Sequence, residues 1–522
     1  MKAIKFFVLL SFVFTGLNLL SQTLEMDWGE TNLLSKNNWY QKIIGSDKDG
    51  FFVIRSQGII GINEENLWLE YYSTTTNSRE SSNQVIMPTV SGNPTHYENI
   101  FYLNGKIILF SSASNGSRNV LYVSYLNNEG FLKNKPKEIG SIPISNSNTD
   151  RFKFQLTGDG NIMLNFHNTF AQYNAEPFTY KIINPDLIEE FNASLELPLK
   201  GRSFEVIQSK ISKAGDVCML IKAETVVNKK KATTGLTYEY IMMIYTVKRK
   251  EFHPFPITVS KYIPTNIIFG LDKNDDIVIT GFFANKTVKI ANEFSGSFFC
   301  KINPRILKAD IMDPKKSIKL FSNELSAEFS QKRNGETPDQ YFNYVIRNMV
   351  FFENGGFAFI AEQEYTTFTI ITTPGTKQKT RVDYYFYNDL LVCGVTKEGV
   401  LDWQIRIPKN QNSSDDNGYY HSIATFVDAN KLKIIYNDNR SNLQNKVAEK
   451  TKELKNNPVL PPKGHPVIVT LYSDGSYEKY SMFKNEDAKF VIVPRLIDKV
   501  GKRYVTYAQD GKSIKFGSFV FE

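Results

Sequence analysis

The chain of 522 residues is 41% hydrophobic and 22% charged, a globular composition that excludes a disordered or fibrous protein. Its 62 Lys and Arg against 54 Asp and Glu leave a formal charge of +8, too small for this length to imply a nucleic-acid partner. Abundant aromatics (39 Phe, 27 Tyr) favour strands, and only three cysteines exclude a disulfide scaffold.

The first element is a leader. Lys2 and Lys5 precede a run of 15 almost continuously apolar residues, Phe6 to Leu20, and polar, acidic residues begin at Glu25. The run is shorter than the ~20 residues a spanning helix needs. It has the form of a secretory signal peptide, residues 1–21, cleaved near Ser21–Gln22. The mature chain, residues 22–522, is therefore expected in the periplasm or on the periplasmic side of an outer membrane, with secretion as the alternative. No cysteine lies near the cleavage site to carry a lipid anchor, and no later window is apolar enough to span a bilayer. Cys218, Cys300 and Cys393 sit in apolar runs and read as small core residues.

A repeat then runs through the mature chain. Turn residues precede apolar runs at Asp49-Gly50, Asn104-Gly105, Asp159-Gly160 and Ala214-Gly215, the glycines falling 55 residues apart. The register continues at Asp275, Gly355, Asn430 and Gly501, which makes eight units. Each turn is flanked by apolar strands, and such turn residues tolerate positive φ. A second hairpin follows in most units, turning for example at Asn128-Glu129-Gly130 and Ser473-Asp474-Gly475. Two hairpins are four antiparallel strands, one blade of a β-propeller. The fold class is thus all-β: a single closed β-propeller of seven or eight four-stranded blades, eight being preferred. The last unit ends short of a strand, which residues near Thr23–Gly29 are expected to supply.

Two polar insertions lengthen the later units. Residues 310–343 are expected to hold a short helix around Asn323–Gln331. Residues 440–465 open with Arg440–Asn457, where Leu443, Val447 and Leu454 are spaced as the apolar stripe of an amphipathic helix.

Catalytic motifs are scarce. The five histidines form no His-Glu-x-x-His pattern, and no nucleophile elbow or phosphate loop is present. Asp272 to Asp276 superficially resembles a calcium loop but lacks the glycine at its sixth position and the acid at its twelfth, so it reads as a hairpin turn. No metal, cofactor or catalytic residue is assigned. The densest polar and aromatic cluster lies in units six and seven, with Glu362, Glu364, Tyr365, Trp403, Lys409, Asp438 and Arg440. Together with Leu443, Val447 and Leu454 these are the candidate partner-binding residues.

The Asp/Asn-Gly hairpins at a 55-residue step resemble those of bacterial exported β-propellers. The leader ending Leu-Leu-Ser-Gln, with the Glu362-Gln363-Glu364-Tyr365 and Ile407-Pro408-Lys409-Asn410-Gln411 segments, is similar to exported proteins of outer-membrane bacteria that use type 9 secretion. Cargo of that system carries a C-terminal sorting domain, for which the last unit leaves no room. The resemblance therefore implies a periplasmic resident or an accessory, plug-like subunit of the type 9 outer-membrane translocon.

Two functions follow as expectations. The first is a non-catalytic interaction module, not an enzyme, which binds an outer-membrane or periplasmic protein complex through loops on one face of the propeller. The alternative is a carbohydrate- or peptide-processing propeller enzyme with carboxylates converging at ~5–10 Å in a central channel.

Overall fold

The computed structural model describes residues 24–58, 66–144, 152–157, 160–166, 178–199, 202–225, 238–285, 294–309, 313–330, 342–372, 375, 378–458, 460–484, 487 and 489–521. The leader, His167 and parts of the 310–343 insertion lie outside them.

The described chain is all-β, organised as eight successive antiparallel sheets plus a small ribbon, Thr89–Val90 with Asn93–Pro94. The first sheet sets the pattern, with strands Asn38–Ser46, Gly50–Gln57, Leu67–Ser73 and Arg79–Gln84 hydrogen-bonded in chain order. Each of the eight turns read from the sequence joins the first and second strands of one sheet. At one of these turns Asn104 and Gly105 have φ of 49° and 75°, the paired left-handed conformation of the two-residue hairpin that only such residues adopt cheaply.

The second strand of each sheet is a near-continuous apolar run, such as Phe51–Ile54, Ile277–Ala284 and Leu432–Tyr436, buried on both faces. The reason is that each sheet is sandwiched between neighbours. Val53 and Phe516 belong to the cluster joining the first and last sheets, while Phe52 and Ile107 join the first and second. Similar clusters link each remaining consecutive pair. The fourth strands alternate toward solvent, as Arg79–Gln84 does.

The eighth sheet contains Arg503–Asp510 and Ser513–Phe519 and takes its outer strand from the other end of the chain. Asp27–Trp28 pairs with Ser518 and Gly517, and Asn32–Leu33 with Ile514 and Ser513. The Trp28 indole donates to Asp487 at 2.8 Å and packs on Phe483 and Phe490. The expected N-terminal strand is therefore present.

Antiparallel order puts the first-to-second and third-to-fourth turns at one end of every sheet. These turns touch one another: Lys213 N donates to Asp275 at 2.6 Å, and Asn354 N to Asn430 at 3.0 Å. All the long connections emerge at the opposite end. They include both insertions, the extended hairpin of Phe357–Thr372 and Lys379–Val395, and residues 415–423.

The helix expected at Asn323–Gln331 is observed as Asn323–Ser330. The amphipathic helix expected over Arg440–Asn457 is not. That segment forms two short 3₁₀ turns, Arg440–Asn442 and Ala448–Lys450, then a strand, Leu454–Asn456. The strand pairs in parallel with Gln411 to Ser413 on the outer strand of the sixth sheet. Asparagine side chains cap the backbone here instead: Asn442 accepts from Lys452 N at 2.8 Å and Asn445 from Val447 N at 3.1 Å.

Asp272 forms a hairpin turn, accepting from Asn274 N and Asp276 N at 2.8 and 3.0 Å. Lys301 reaches both Asp272 and Asp276 at 2.8 Å, so an ammonium sits against the two acids. Cys218 and Cys393 are buried in inter-sheet clusters, and burial pushes both thiols up, Cys393 to about 12. Among the described residues no helix is long and apolar enough to cross a membrane.

Candidate functional site

A cavity of about 990 Å³ opens at the loop-bearing end between the fourth, fifth and sixth sheets. Its walls follow from strand register. In the fourth sheet Glu205, Lys222 and Tyr240 lie directly opposite one another on three neighbouring strands and so share one face. That face looks toward the first strand of the fifth sheet, Ile263–Leu271, where the Tyr240 hydroxyl donates to the Thr265 carbonyl. Tyr238, Tyr262, Phe294, Phe342 and Tyr344 complete an aromatic lining, with Asn266 and Asn343 among them.

Glu205 is half-buried and has no hydrogen bond or ion pair among the described residues. Burial, with a smaller contribution from the Glu205 charge, pushes the Tyr240 phenol up to about 12. Tyr240 is therefore a neutral wall group and a poor base. The Lys222 ammonium lies 4.7 Å from the centre of the Tyr238 ring. Glu239 also lines the cavity, but being next to Tyr240 on its strand it points to the other face, where Arg202 donates to it at 2.5 Å. The two carboxylates thus meet one cavity at its rim without facing each other. Such a surface combines flat apolar rings, amide donors and acceptors, a cation and a free carboxylate. It can stack a ring, hydrogen-bond its substituents and exchange a proton with it.

A second polar group sits where the first strands of the first, second and eighth sheets approach. Lys42 donates to Asn99 at 2.6 Å, and burial lowers its amine to about 8 against the opposing charge of Asp498. Burial in turn raises the Asp498 carboxyl, which the Lys499 amide and the Lys42 charge partly offset.

The residues singled out from sequence lie elsewhere, and most are interior. Glu362 and Lys409 are completely buried and face each other at 2.7 Å. Glu362 also accepts from Arg347 Nε and Ser422 Oγ, both at 2.6 Å, and Lys409 donates to the Tyr387 carbonyl and Gln411 at 2.7 Å. Burial pushes the Glu362 carboxyl up, but the Lys409 and Arg347 charges outweigh it and hold it below its ordinary value. Glu364 pairs with the other end of Arg347 at 2.9 Å. Asp438 is buried, bonded by Asn442 and the Asn439 amide at 2.7 Å and ion-paired to Lys479. Leu454 is buried, and Leu443 packs on the cluster between the sixth and seventh sheets.

Trp403 lies over Gly394, where a Cβ would fall 2.1 Å from the ring, and donates to the Ser473 carbonyl at 2.9 Å. It is a strut between the sixth and seventh sheets. Tyr365 stacks on Phe386 at 4.5 Å along the extended hairpin. Only Arg440 and Val447 are exposed. Glu362, Lys409, Asp438 and Leu454 are therefore corrected from partner contacts to interior residues: each is covered by its own chain. Glu205, Lys222 and the cavity tyrosines went unnoticed in the sequence. Their signal was the alternating Tyr238-Glu239-Tyr240 run, polar and aromatic at the head of an otherwise apolar strand.

No family model and no curated protein sequence matches the chain. Solved structures do. The polysaccharide lyase Uly1 is similar at TM-score 0.38 and 10% identity, covering 96% of this chain and 100% of that one. The Penicillium chrysogenum alpha-L-arabinanase complexed with arabinobiose gives 0.31 and 9% over 66% and 93% of the two chains. The Vanderwaltozyma polyspora Nup133 β-propeller domain gives 0.32 and 8% over 80% and 99%. At such identities a likeness speaks to the fold alone, here that of a β-propeller.

The expectation of a non-catalytic interaction module, and with it of no enzymatic activity, is corrected here. The residues chosen for partner contact are largely buried, whereas an open cavity brings a carboxylate, a cation and aromatic rings together.

Proposed function

We propose that the chain is an exported, closed eight-bladed β-propeller that binds a saccharide in the cavity between the fourth and fifth sheets and cleaves a glycosidic bond there. Closure is supported by the apolar cluster between the first and eighth sheets and by the N-terminal strand of the eighth. Export rests on the leader, residues 1–21. The observation that carries the activity is the tyrosine-lined cavity with the Glu205 carboxylate at its wall, without a hydrogen bond or ion pair among the described residues.

In this reading Tyr238 and Tyr262 offer faces for a sugar ring, Asn266 and Asn343 bond its hydroxyls, and Glu205 carries the proton. In hydrolysis Glu205 gives it to the glycosidic oxygen as the C–O bond breaks, water adds to the anomeric carbon, and a proton of that water returns to Glu205. In elimination Glu205 takes the proton of a ring carbon, the C–H electrons form a C=C bond as the neighbouring C–O bond breaks, and the proton passes to the leaving oxygen. Tyr240, its phenol raised, holds the wall through Thr265 and does not serve as the base.

The test incubates the mature protein with a panel of plant, algal and animal polysaccharides and assays new reducing ends, with ultraviolet absorbance separating unsaturated lyase products from hydrolysis. Glu205→Gln should lower the rate by at least ~100-fold, the ordinary contribution of a general acid or base. Release of no reducing ends from any glycan, or full activity in Glu205→Gln, would overturn the proposal.

A further inference from the structure

A second cavity, about 430 Å³, lies at the same end on the seventh sheet, between that sheet and the added strand Leu454–Asn456. Its charge is net positive, three cations against the Glu453 carboxylate once Asp438 is set against Lys479. Arg440, Lys455 and Lys463 stand around its mouth, all exposed, and none has an ion-pair partner among the described residues. The two acids that line it are already engaged. Asp438 is ion-paired to Lys479 and bonded by Asn442, and Glu453 accepts from Asn412 at 3.0 Å.

The floor supplies an independent sign of a ligand. His465 is only 6% exposed and lines the cavity, directly opposite Asp438 in the strand register. Its ring has no hydrogen-bond partner among the described residues. A ring that no described protein group bonds and that borders the cavity leaves its nitrogens available to a bound group.

We infer that this pocket binds the anionic group, carboxylate or sulfate, of an acidic saccharide. Arg440 offers a planar fork that matches either oxyanion, Lys455 and Lys463 add mobile charge, and His465 donates from below. The insertion that builds the pocket is thereby given a task on the same end as the candidate active site. The anion assignment stands on this pocket alone, whereas the saccharide assignment rests on the proposed function.

The experiment measures binding by calorimetry to the mature protein and to the double variant Arg440→Ala/Lys463→Ala. Both substituted residues are exposed, so the variant should fold. The probes are inorganic sulfate, oligogalacturonate, a chondroitin sulfate oligosaccharide and a neutral maltooligosaccharide of equal length. An acidic oligosaccharide should bind at least about tenfold more tightly than the neutral one, and the double variant should lose at least about tenfold of that affinity, as expected for charge-assisted contacts. Binding should also move the His465 ring proton resonances, and Glu205→Gln should leave it intact.

Acidic and neutral oligosaccharides binding alike, or undiminished binding in the double variant, would overturn the inference. Sulfate binding at the pocket with no oligosaccharide bound would overturn the saccharide assignment. A protein that binds acidic oligosaccharides here yet cleaves none would sink the proposed activity while leaving this site standing.

Discussion

Lys409 and Glu362 face each other at 2.7 Å inside the sixth sheet, and neither side chain reaches solvent. Removing one partner of such a pair leaves a buried charge uncompensated, at a cost of about 3–5 kcal/mol, whereas replacing both by apolar groups is often neutral. Glu362→Leu, which removes the carboxylate facing the Lys409 ammonium and leaves it the neutral Tyr387 carbonyl and Gln411, should therefore lower the urea midpoint sharply, and Lys409→Met/Glu362→Leu should lower it less. Arg347 still needs a partner in the double variant, and Glu364 at 2.9 Å remains to supply one. Equal losses in the single and double variants would show that packing, and not charge, sets the cost.

The strand Asp27–Trp28 should matter out of proportion to its length. Besides pairing with Ser518 and Gly517, it accepts a 2.8 Å bond from Asn77 in the first sheet, and Trp28 covers apolar surface of the eighth. Without it Ser513–Phe519 becomes a free edge, which invites aggregation. A mature protein lacking residues 22–36 should melt lower and precipitate on heating. Trp28→Ala should give part of the effect, about 3–5 kcal/mol for a well-packed indole. An unchanged melting temperature in the truncated protein would mean that the eighth sheet is complete without this strand.

The sequence made the architecture legible because its turns are local. Positive φ at Asn104-Gly105 is dictated by two residues, and turn residues ahead of apolar runs, 55 residues apart in the first four units and further apart in the later ones, located eight sheets. Other features were hidden because they depend on which strands become neighbours. Glu205, Lys222 and Tyr240 are brought side by side only by register, and Thr265 comes from the next sheet. Glu362 and Lys409 look like surface charges until the chain folds each over the other. The Leu443, Val447 and Leu454 spacing suggested a helix. It was overridden by asparagines that bond their own backbone and by an open sheet edge within reach of Leu454–Asn456.

Two buried groups in the loop after the sixth sheet should give opposing dependences on pH. Burial pushes the Asp416 carboxyl up to about 6, against bonds from Ser413 and the Gly418 amide and the charge of Arg495. Its folded value exceeds its ordinary 3.8, so ionisation costs stability as pH rises through about 4 to 6, by about 3 kcal/mol in all. Burial, helped by the Lys409 charge, pushes His421 down to about 3 from an ordinary 6.5. The unfolded chain then binds the extra proton, and stability is lost as pH falls from about 6.5 toward 3. Between about pH 4 and 6 the two slopes offset each other. Urea midpoints of Asp416→Asn should therefore rise with pH across that window, while those of His421→Asn should fall. Parallel curves for the two variants would mean that neither group stays buried through the titration.

The 440–465 insertion should be part of the folded body and not a detachable arm. Leu454 is 5% exposed, and its strand pairs with the outer edge of the sixth sheet. Asn442 bonds both Asp438 and the Lys452 carbonyl at 2.7 Å. Asn456 holds the Lys463 carbonyl at 2.9 Å and lies 3.2 Å from His421. Shortening a loop recovers only ~0.6 kcal/mol per halving of its length, far less than these contacts contribute. Deleting residues 441–463 across a short Gly-Ser turn should therefore destabilise the protein. Two point variants separate the packed side of the insertion from its exposed side. Leu454→Ala should cost about 2–5 kcal/mol, as a buried leucine does, whereas Val447→Ser, at an exposed position, should stay within about 0.5 kcal/mol of the parent. Comparable midpoints for the two point variants, with a deletion protein as stable as the parent, would place the insertion outside the core.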